Sequence, residues 1–487
     1  MVLVSLYVAD LSAVLLALAI HKKSDRPLAA YLGTLPGVIL VGATLALAAT
    51  AALIVHYVRA APPGRARAFA AILTVNLGSV ALAFAVAEAL VRVFAVPTPG
   101  GRVFANTLLL PRPWEQVVAQ NRAVLERAAA RGTYLVHDTD LGWTIGPGRR
   151  SADYNRDFVA LHAPHLLGRR GAADSHIYFS STEGIRSPRA GMSFAALPAR
   201  PRIALVGDSF TFGLEVRYED TWGHRLETAL GGAFQVLNFG VDGYGVDQAY
   251  LRYRRDVVPW RPDVVVLGII NDDLRRTMCV YGFLCHGAMS QMPFPKPRFV
   301  LREDRLAALN LPLPTPESLF AKPSIQDLPF IEYDWSFDPV EWEWRFYHHA
   351  DSIRLLLSRY RRWPVPRPAV SDEALESVNG EIVRAFVRLA REHGSVPIVV
   401  YFPSRWELTH ASAAPPSVAK GVLAARGIPF RDMTECVGRV SPEDRFVTLH
   451  YSPATNAAVA ECLRSSIPSS RSRRGGPSTT PRGAATR

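Results

Sequence analysis

Four residues in this chain have types and positions suited to acyl-transfer chemistry. Ser209 follows the apolar run Ile203–Val206 and Gly207, in "IALVGDSFTFG". Gly243 sits in "NFGVDGYG", Asn271 in "LGIINDD" and His450 in "LHYSPATN". Attack on an ester carbonyl needs a nucleophile, a base to take its proton and NH donors for the oxyanion. Ser209 supplies the hydroxyl and His450 the base. The amides of Ser209 and Gly243, with the side-chain amide of Asn271, supply the donors. Each residue also has an ordinary use: a serine after Gly-Asp caps helices, Asp-Gly makes turns, Asn-Asp ends strands, and a histidine before Ser-Pro is often structural. Their occurrence in order, each at the end of a strand or the start of the last helix, favours the chemical reading.

The elements that would position them follow from the pattern. Short, continuously apolar strands are expected at Ile203–Val206, Phe234–Gly240, Pro262–Ile269 and Val396–Phe402, with a weak fifth near Ile428–Phe430. Helical spacing falls between them, at 218–230, 248–257 and 372–393. Buried strands alternating with helices imply a parallel sheet covered on both faces. In such a sheet, ligands bind beyond the carboxyl ends of the strands, which is where Ser209, Gly243 and Asn271 fall.

In that chain order, "GDSFTFG", "NFGVDGYG", "GIIND" and "HYSPATNAAVA" resemble the blocks of the SGNH (GDSL) hydrolase family. The resemblance covers 201–275 and 396–464. It implies a three-layer α/β/α flavodoxin-like fold and ester hydrolysis or acyl transfer through a serine acyl-enzyme, with neither metal nor organic cofactor. Two departures stand out. The third block reads Gly-x-x-Asn instead of Gly-x-Asn-Asp. The family's aspartate two or three residues before its histidine is replaced by Thr448 and Val447, so Asp444, six residues before His450, is the candidate acid. Three outcomes stay open: Asp444 serves, a backbone carbonyl orients the ring of a dyad, or activity is weak or lost. The spacing is not Gly-x-Ser-x-Gly, so the α/β-hydrolase nucleophile elbow does not fit.

The chain has 487 residues, 49% of them hydrophobic, with a formal charge of +12. Only five of its 55 basic residues are lysines, and six arginines lie from Arg464 onward, so the charge reflects arginine usage and a basic tail. No basic helix is interleaved with aromatics, which argues against a nucleic-acid partner. Apolar runs predict transmembrane helices at 2–20, 28–58 and 68–92, because about 20 apolar residues cross the hydrocarbon core. The flanking loops tie at three arginines and lysines each (Lys22, Lys23, Arg26 against Arg59, Arg65, Arg67), leaving orientation open. The cysteines and the family resemblance favour a catalytic domain outside the cytoplasm, in a bacterial inner membrane. Asp10 and Glu88, in or near these runs, would be the only basis for a transport or sensing role.

The expected organisation is a membrane region 1–97, a linker and accessory region 98–200, a catalytic domain 201–465 with an insertion 275–366, and a disordered tail 466–487. The insertion is rich in proline and aromatics ("MPFPKPRFV", "EWEWRFYHH"), as a lid or binding element would be. Four cysteines allow three pairings. Either Cys279 pairs with Cys285 and Cys436 with Cys462, or all are buried thiols. The function expected from these residues is a membrane-anchored esterase acting on acyl esters, O-acetyl above all, of carbohydrate or lipid. The alternatives are an O-acyltransferase on extracytoplasmic polysaccharide and an inactive binding or assembly protein. Oligomeric state is not legible.

Overall fold

The computed structural model describes residues 6–7, 9–14, 35–60, 62–98, 101–131, 133–152, 177–285, 292–359, 372–409 and 417–468. The expected span 2–20 and the start of the span 28–58 fall largely outside these residues, as does the tail 469–487. Two compact units divide the chain, one comprising 1–118 with 338–369, the other 119–337 with 370–487.

The larger unit is built on an eight-stranded sheet. Its strands in chain order are β1 (Arg150–Ala152), β2 (Ile177–Ser180), β3 (Arg186–Ser187), β4 (Arg202–Val206), β5 (Gln235–Asn238), β6 (Val264–Ile269), β7 (Val396–Tyr401) and β8 (Phe430–Asp432). Their order across the sheet is β8-β7-β6-β4-β5-β3-β2-β1. From β8 to β5 neighbouring strands run parallel, with Ile203 of β4 level with Val264 of β6 and Val236 of β5. The last three strands are antiparallel to their neighbours and form one edge.

Strand periodicity explains the three layers. Successive side chains point to opposite faces. Ala204, Val206, Val265, Leu267 and Val399 pack on one face with the helices Val246–Arg252, Asp372–Glu392 and Val418–Ala425, through Leu251, Phe386 and Leu423. Ile203, Leu205, Val264, Val266 and Val400 pack on the other with Trp222–Ala229 and Pro453–Arg464, through Trp222, Leu226, Val459 and Leu463. Every residue of β6 is buried, as a central strand covered on both faces requires.

Some boundaries shift for local reasons. The expected helix 218–230 is a 3₁₀ turn, Tyr218–Asp220, and a separate helix whose N-cap is Thr221, its hydroxyl accepting from the His224 amide. The weak fifth strand starts at Phe430, because the Ile428 amide still closes the preceding helix on the Leu423 carbonyl. Both local disulfides form, Cys279–Cys285 and Cys436–Cys462.

The smaller unit holds the helices Leu35–Ala60 and Pro63–Phe94, a three-stranded antiparallel sheet spanning 96–108, and the helix Asp351–Arg359. Among the described residues, Arg67–Phe94 is the one helix long and apolar enough to cross a membrane, with a mean hydropathy of 2.1 and almost none of it buried. Of the expected spans, 68–92 is met by this helix, while 2–20 and the start of 28–58 lie largely outside the described residues. The apolar stretch Leu40–His56 is shorter. It lies within the 26-residue helix Leu35–Ala60, which at 1.5 Å per residue is about 39 Å long. Asp10 accepts a hydrogen bond from the Thr50 hydroxyl at 3.2 Å.

Candidate active site

Strand β4 ends at Val206, and glycine is demanded at the next position, Gly207. Its φ is +152°, and a Cβ would lie 2.3 Å from the Thr211 hydroxyl and 2.7 Å from the Gly268 carbonyl oxygen. The chain then turns into a one-turn helix, Ser209–Phe212, whose N-cap Asp208 accepts from the Phe210 amide at 2.9 Å. Asp208 is wholly buried; burial pushes its carboxyl up, and the Arg276 guanidinium at 3.6 Å pulls against that. Ser209 therefore begins a helix at the carboxyl edge of the sheet.

His450 reaches it from the loop before the last helix. Its Nε2 lies 2.9 Å from Ser209 Oγ, although 241 residues separate the two. Phe210 flanks the imidazole, ring centroids 5.0 Å apart. Ser452 caps the helix that follows, and its hydroxyl also donates to the Asp444 carbonyl.

Asp444, the expected acid, is not the carboxylate beside His450. It is exposed, and its carboxylate accepts from the Ser441 hydroxyl at 2.7 Å. The group facing His450 Nδ1 is Glu215, whose Oε1 lies 3.4 Å away. That is long for a hydrogen bond, and Nδ1 has no closer acceptor. Glu215 thus acts on the ring through this contact and through its charge. The carboxylate is held firmly: it accepts from the amides of Thr448 (2.8 Å), Leu449 (3.1 Å) and His450 (3.2 Å) and from the Thr448 hydroxyl. Burial alone would raise its pKa, but the imidazole and the Thr448 donors outweigh it and lower the carboxyl to about 2. For His450, burial disfavours the charged ring, and the nearby carboxylates, Glu215 foremost, more than offset this and raise its pKa.

A signal for Glu215 does exist in the sequence. It is a lone carboxylate between Leu214 and Val216, both buried. A charge inside an apolar run must find a partner. Its backbone is left-handed, φ +69°, which costs a non-glycine residue about 1–2 kcal/mol. Such conformations concentrate at functional sites.

Gly243 lies in a turn with φ +77°. The turn is fixed from outside the parallel strands: Trp143 Nε1 donates to the Asp242 carbonyl at 2.9 Å, and the Tyr244 hydroxyl donates to the Trp143 carbonyl at 2.6 Å. Among the described residues, the amides of Ser209 and Gly243 donate to no protein acceptor, so both remain available to an oxyanion.

Asn271 is placed differently from its expected role. Its Nδ2 donates to Glu407 Oε1 at 2.8 Å, and its Oδ1 accepts from the Ser417 hydroxyl and the Ala419 amide. Both ends of the amide are thus committed to protein partners. The preceding residue, Ile270, lines the cleft. The extra residue in Gly-x-x-Asn has carried the amide one position too far. Removing an oxyanion-hole side chain typically costs 10²–10³-fold in kcat, so Asn271→Ala is expected to cost much less, under about tenfold. Steady-state turnover of a small ester checks this.

Ser209 and His450 open into a cleft of about 500 Å³, also lined by Asp242, Arg405, Trp335 and Trp406. Trp335 comes from the insertion, as does Cys285, and the Trp335 indole donates to Cys279 Sγ at 3.2 Å.

No protein-family model matches this sequence, and no curated protein matches it either. Loosely similar solved structures include a putative lipolytic protein of the G-D-S-L family from Desulfitobacterium hafniense (12% identity, 55% of this chain and 100% of that one, TM-score 0.29). A lipase/acylhydrolase from Enterococcus faecalis is similar at 13% identity (55% and 96%, TM-score 0.27). An acetylxylan esterase from Geobacillus stearothermophilus, solved as a catalytic mutant, is similar at 14% (55% and 94%, TM-score 0.27). Likenesses this loose do not place the chain in a family.

Proposed function

We propose that this protein is a membrane-anchored serine esterase of SGNH type that cleaves acyl esters through an acyl-enzyme. The observation that carries this reading is the 2.9 Å contact between Ser209 Oγ and His450 Nε2 beside a buried carboxylate. Ser209 Oγ attacks the ester carbonyl as its proton passes to Nε2. The charge forming on the imidazole is stabilised by Glu215, and the charge on the carbonyl oxygen by the amides of Ser209 and Gly243. The tetrahedral intermediate collapses, the C–O bond breaks, and the leaving alcohol takes the proton from Nε2. Water then repeats the sequence in reverse and frees the acid.

The acyl group we take to be short, acetyl above all. Trp335 and Trp406 give the cleft walls flat apolar surfaces of the kind that stack on sugar rings, which favours a carbohydrate ester over a long-chain lipid. The reading as an inactive binding protein drew on the missing acid, and Glu215 occupies that place. An O-acyltransferase would use the same acyl-enzyme with a sugar hydroxyl in place of water. The two disulfides support a catalytic unit in an oxidising compartment outside the cytoplasm. The helix Arg67–Phe94 supports the anchor.

The purified chain is expected to turn over p-nitrophenyl acetate faster than p-nitrophenyl esters of long acyl chains. No turnover of any of them by folded protein would sink the enzymatic reading. Because His450 must be neutral to act as base, kcat/KM is expected to fall with decreasing pH through a pKa above the ordinary imidazole value of about 6.5. A pH–rate profile reads this directly, and an acid limb at or below 6.5 would contradict it.

A further inference from the structure

Glu88 follows twenty uncharged residues, Ala68–Ala87. At 1.5 Å per residue that stretch spans about 30 Å, the thickness of the hydrocarbon core. Glu88 then marks the edge of the hydrocarbon, and the remaining turns to Phe94 rise through about 10 Å of headgroups. A segment some 250 residues downstream is bonded to this portion of the helix. The Glu88 carboxylate caps the helix Asp351–Arg359, accepting from the amides of Asp351 (2.9 Å) and Ser352 (2.8 Å) and from the Ser352 hydroxyl (2.8 Å). Arg92 donates to the His349 carbonyl at 2.8 Å, and Leu355 packs on the cluster of Val91, Ala95 and Leu109. Arg102 pairs with Asp351, and Arg354 donates to the carbonyls of Leu109 and Pro111. Glu88 is therefore a structural cap, which removes the ground for reading it as a transport residue.

This returning segment exposes apolar side chains. Phe346 is 80% exposed, Leu356 47% and Trp344 46%; beside them at the helix end, Val93 is 75% exposed. Trp344 stacks edge-on to His349, whose carbonyl holds Arg92, and Arg354 lies over its ring at 5.1 Å. The charges on the segment are paired: Arg345 with Glu343, and Arg354 with Asp351. Scattered exposed hydrophobics need no explanation, but these are grouped where the helix leaves its apolar stretch.

We propose that residues 344–356 form a collar seated in the headgroup layer of the bilayer, with Trp344, Phe346 and Leu356 inserted beside the exit of the helix Arg67–Phe94. The inference rests on the membrane-anchored reading above. Amphipathic aromatic rings concentrate at the membrane–water interface, and paired arginines at that depth tolerate it. The collar gives the chain a second membrane contact, distant in sequence from the span, and sets the height at which 88–112 leave the membrane.

The test uses the full chain in nanodiscs of phosphatidylcholine and phosphatidylglycerol, with an environment-sensitive fluorophore on Phe346→Cys, Leu356→Cys or Phe84→Cys. The four native cysteines are held in disulfides. Nitroxide-labelled phosphatidylcholine serves as quencher, with the nitroxide near the headgroup or near the chain terminus. The collar predicts emission loss at 346 and 356 that is greater with the shallow nitroxide, and loss at 84 greater with the deep one. No loss at 346 and 356 alongside loss at 84 overturns the collar while leaving the anchor standing. No loss at any of the three overturns both.

Discussion

Glu215→Gln is expected to lower kcat about 10⁴-fold, the typical effect of neutralising the acid behind a catalytic imidazole. Glutamine keeps the shape and an acceptor oxygen, so the Thr448, Leu449 and His450 amides retain a partner, and what is lost is mainly charge. That charge does two things. It stabilises the imidazolium formed as Ser209 attacks, and it holds the His450 pKa up against burial. The variant should therefore also shift the acid limb of the pH–rate profile downward, because burial of the ring is then less opposed. A purely structural role for Glu215 would lower the melting temperature without moving that limb. Asp444→Asn, by contrast, should leave both the rate and the limb where they are, since its carboxylate meets only a surface serine. A loss at Asp444 equal to that at Glu215 would reverse the assignment.

Ser209→Ala is expected to cost about 10⁶-fold in kcat, the order found when the nucleophile of a serine triad is removed. The hydroxyl is nearly buried, 2.9 Å from the imidazole and 3.4 Å from Asp208 Oδ2, and alanine removes the attacking atom with little disturbance to packing. The Asp208 cap and the Gly207 turn do not depend on the hydroxyl. The melting temperature should stay within a few degrees of the parent while turnover of p-nitrophenyl acetate falls to a residual level sustained by the oxyanion amides and binding. Turnover equal to the parent's would remove Ser209 from the chemistry.

What the sequence made legible was the part carried by buried strands. Apolar runs ending at Val206, Gly240 and Ile269 implied a parallel sheet, and a parallel sheet gathers the ends of β4, β5 and β6 on one edge. Ser209 and Gly243 were read from those strand ends together with the resemblance of their blocks to the SGNH family. His450 was read from its place at the start of the last helix and from the resemblance of "HYSPATNAAVA" to the family's last block. Glu215 was hidden for a topological reason. It leaves the first block through a left-handed turn and meets a loop 235 residues away, and no local pattern encodes that pairing. Asn271 shows the opposite failure, a residue of the right type one position beyond its slot, where Glu407, Ser417 and Ala419 take up its hydrogen bonds. The antiparallel edge strands, two to four residues long, were too short to declare their pairing. Aromatic residues of "EWEWRFYHH" divide between burial (Trp342) and exposure (Trp344, Phe346), with Trp342 packed edge-on to Trp114 beneath the Arg112 guanidinium.

The account stands on Ser209 as a nucleophile activated by His450, and covalent trapping tests it most directly. The full chain is treated with a fluorophosphonate, digested, and its modified peptide identified by mass spectrometry. The account predicts one adduct, on Ser209, formed in the parent and lost in His450→Ala. A folded parent that takes no label, or takes it on another serine while Ser209 stays free, would contradict it.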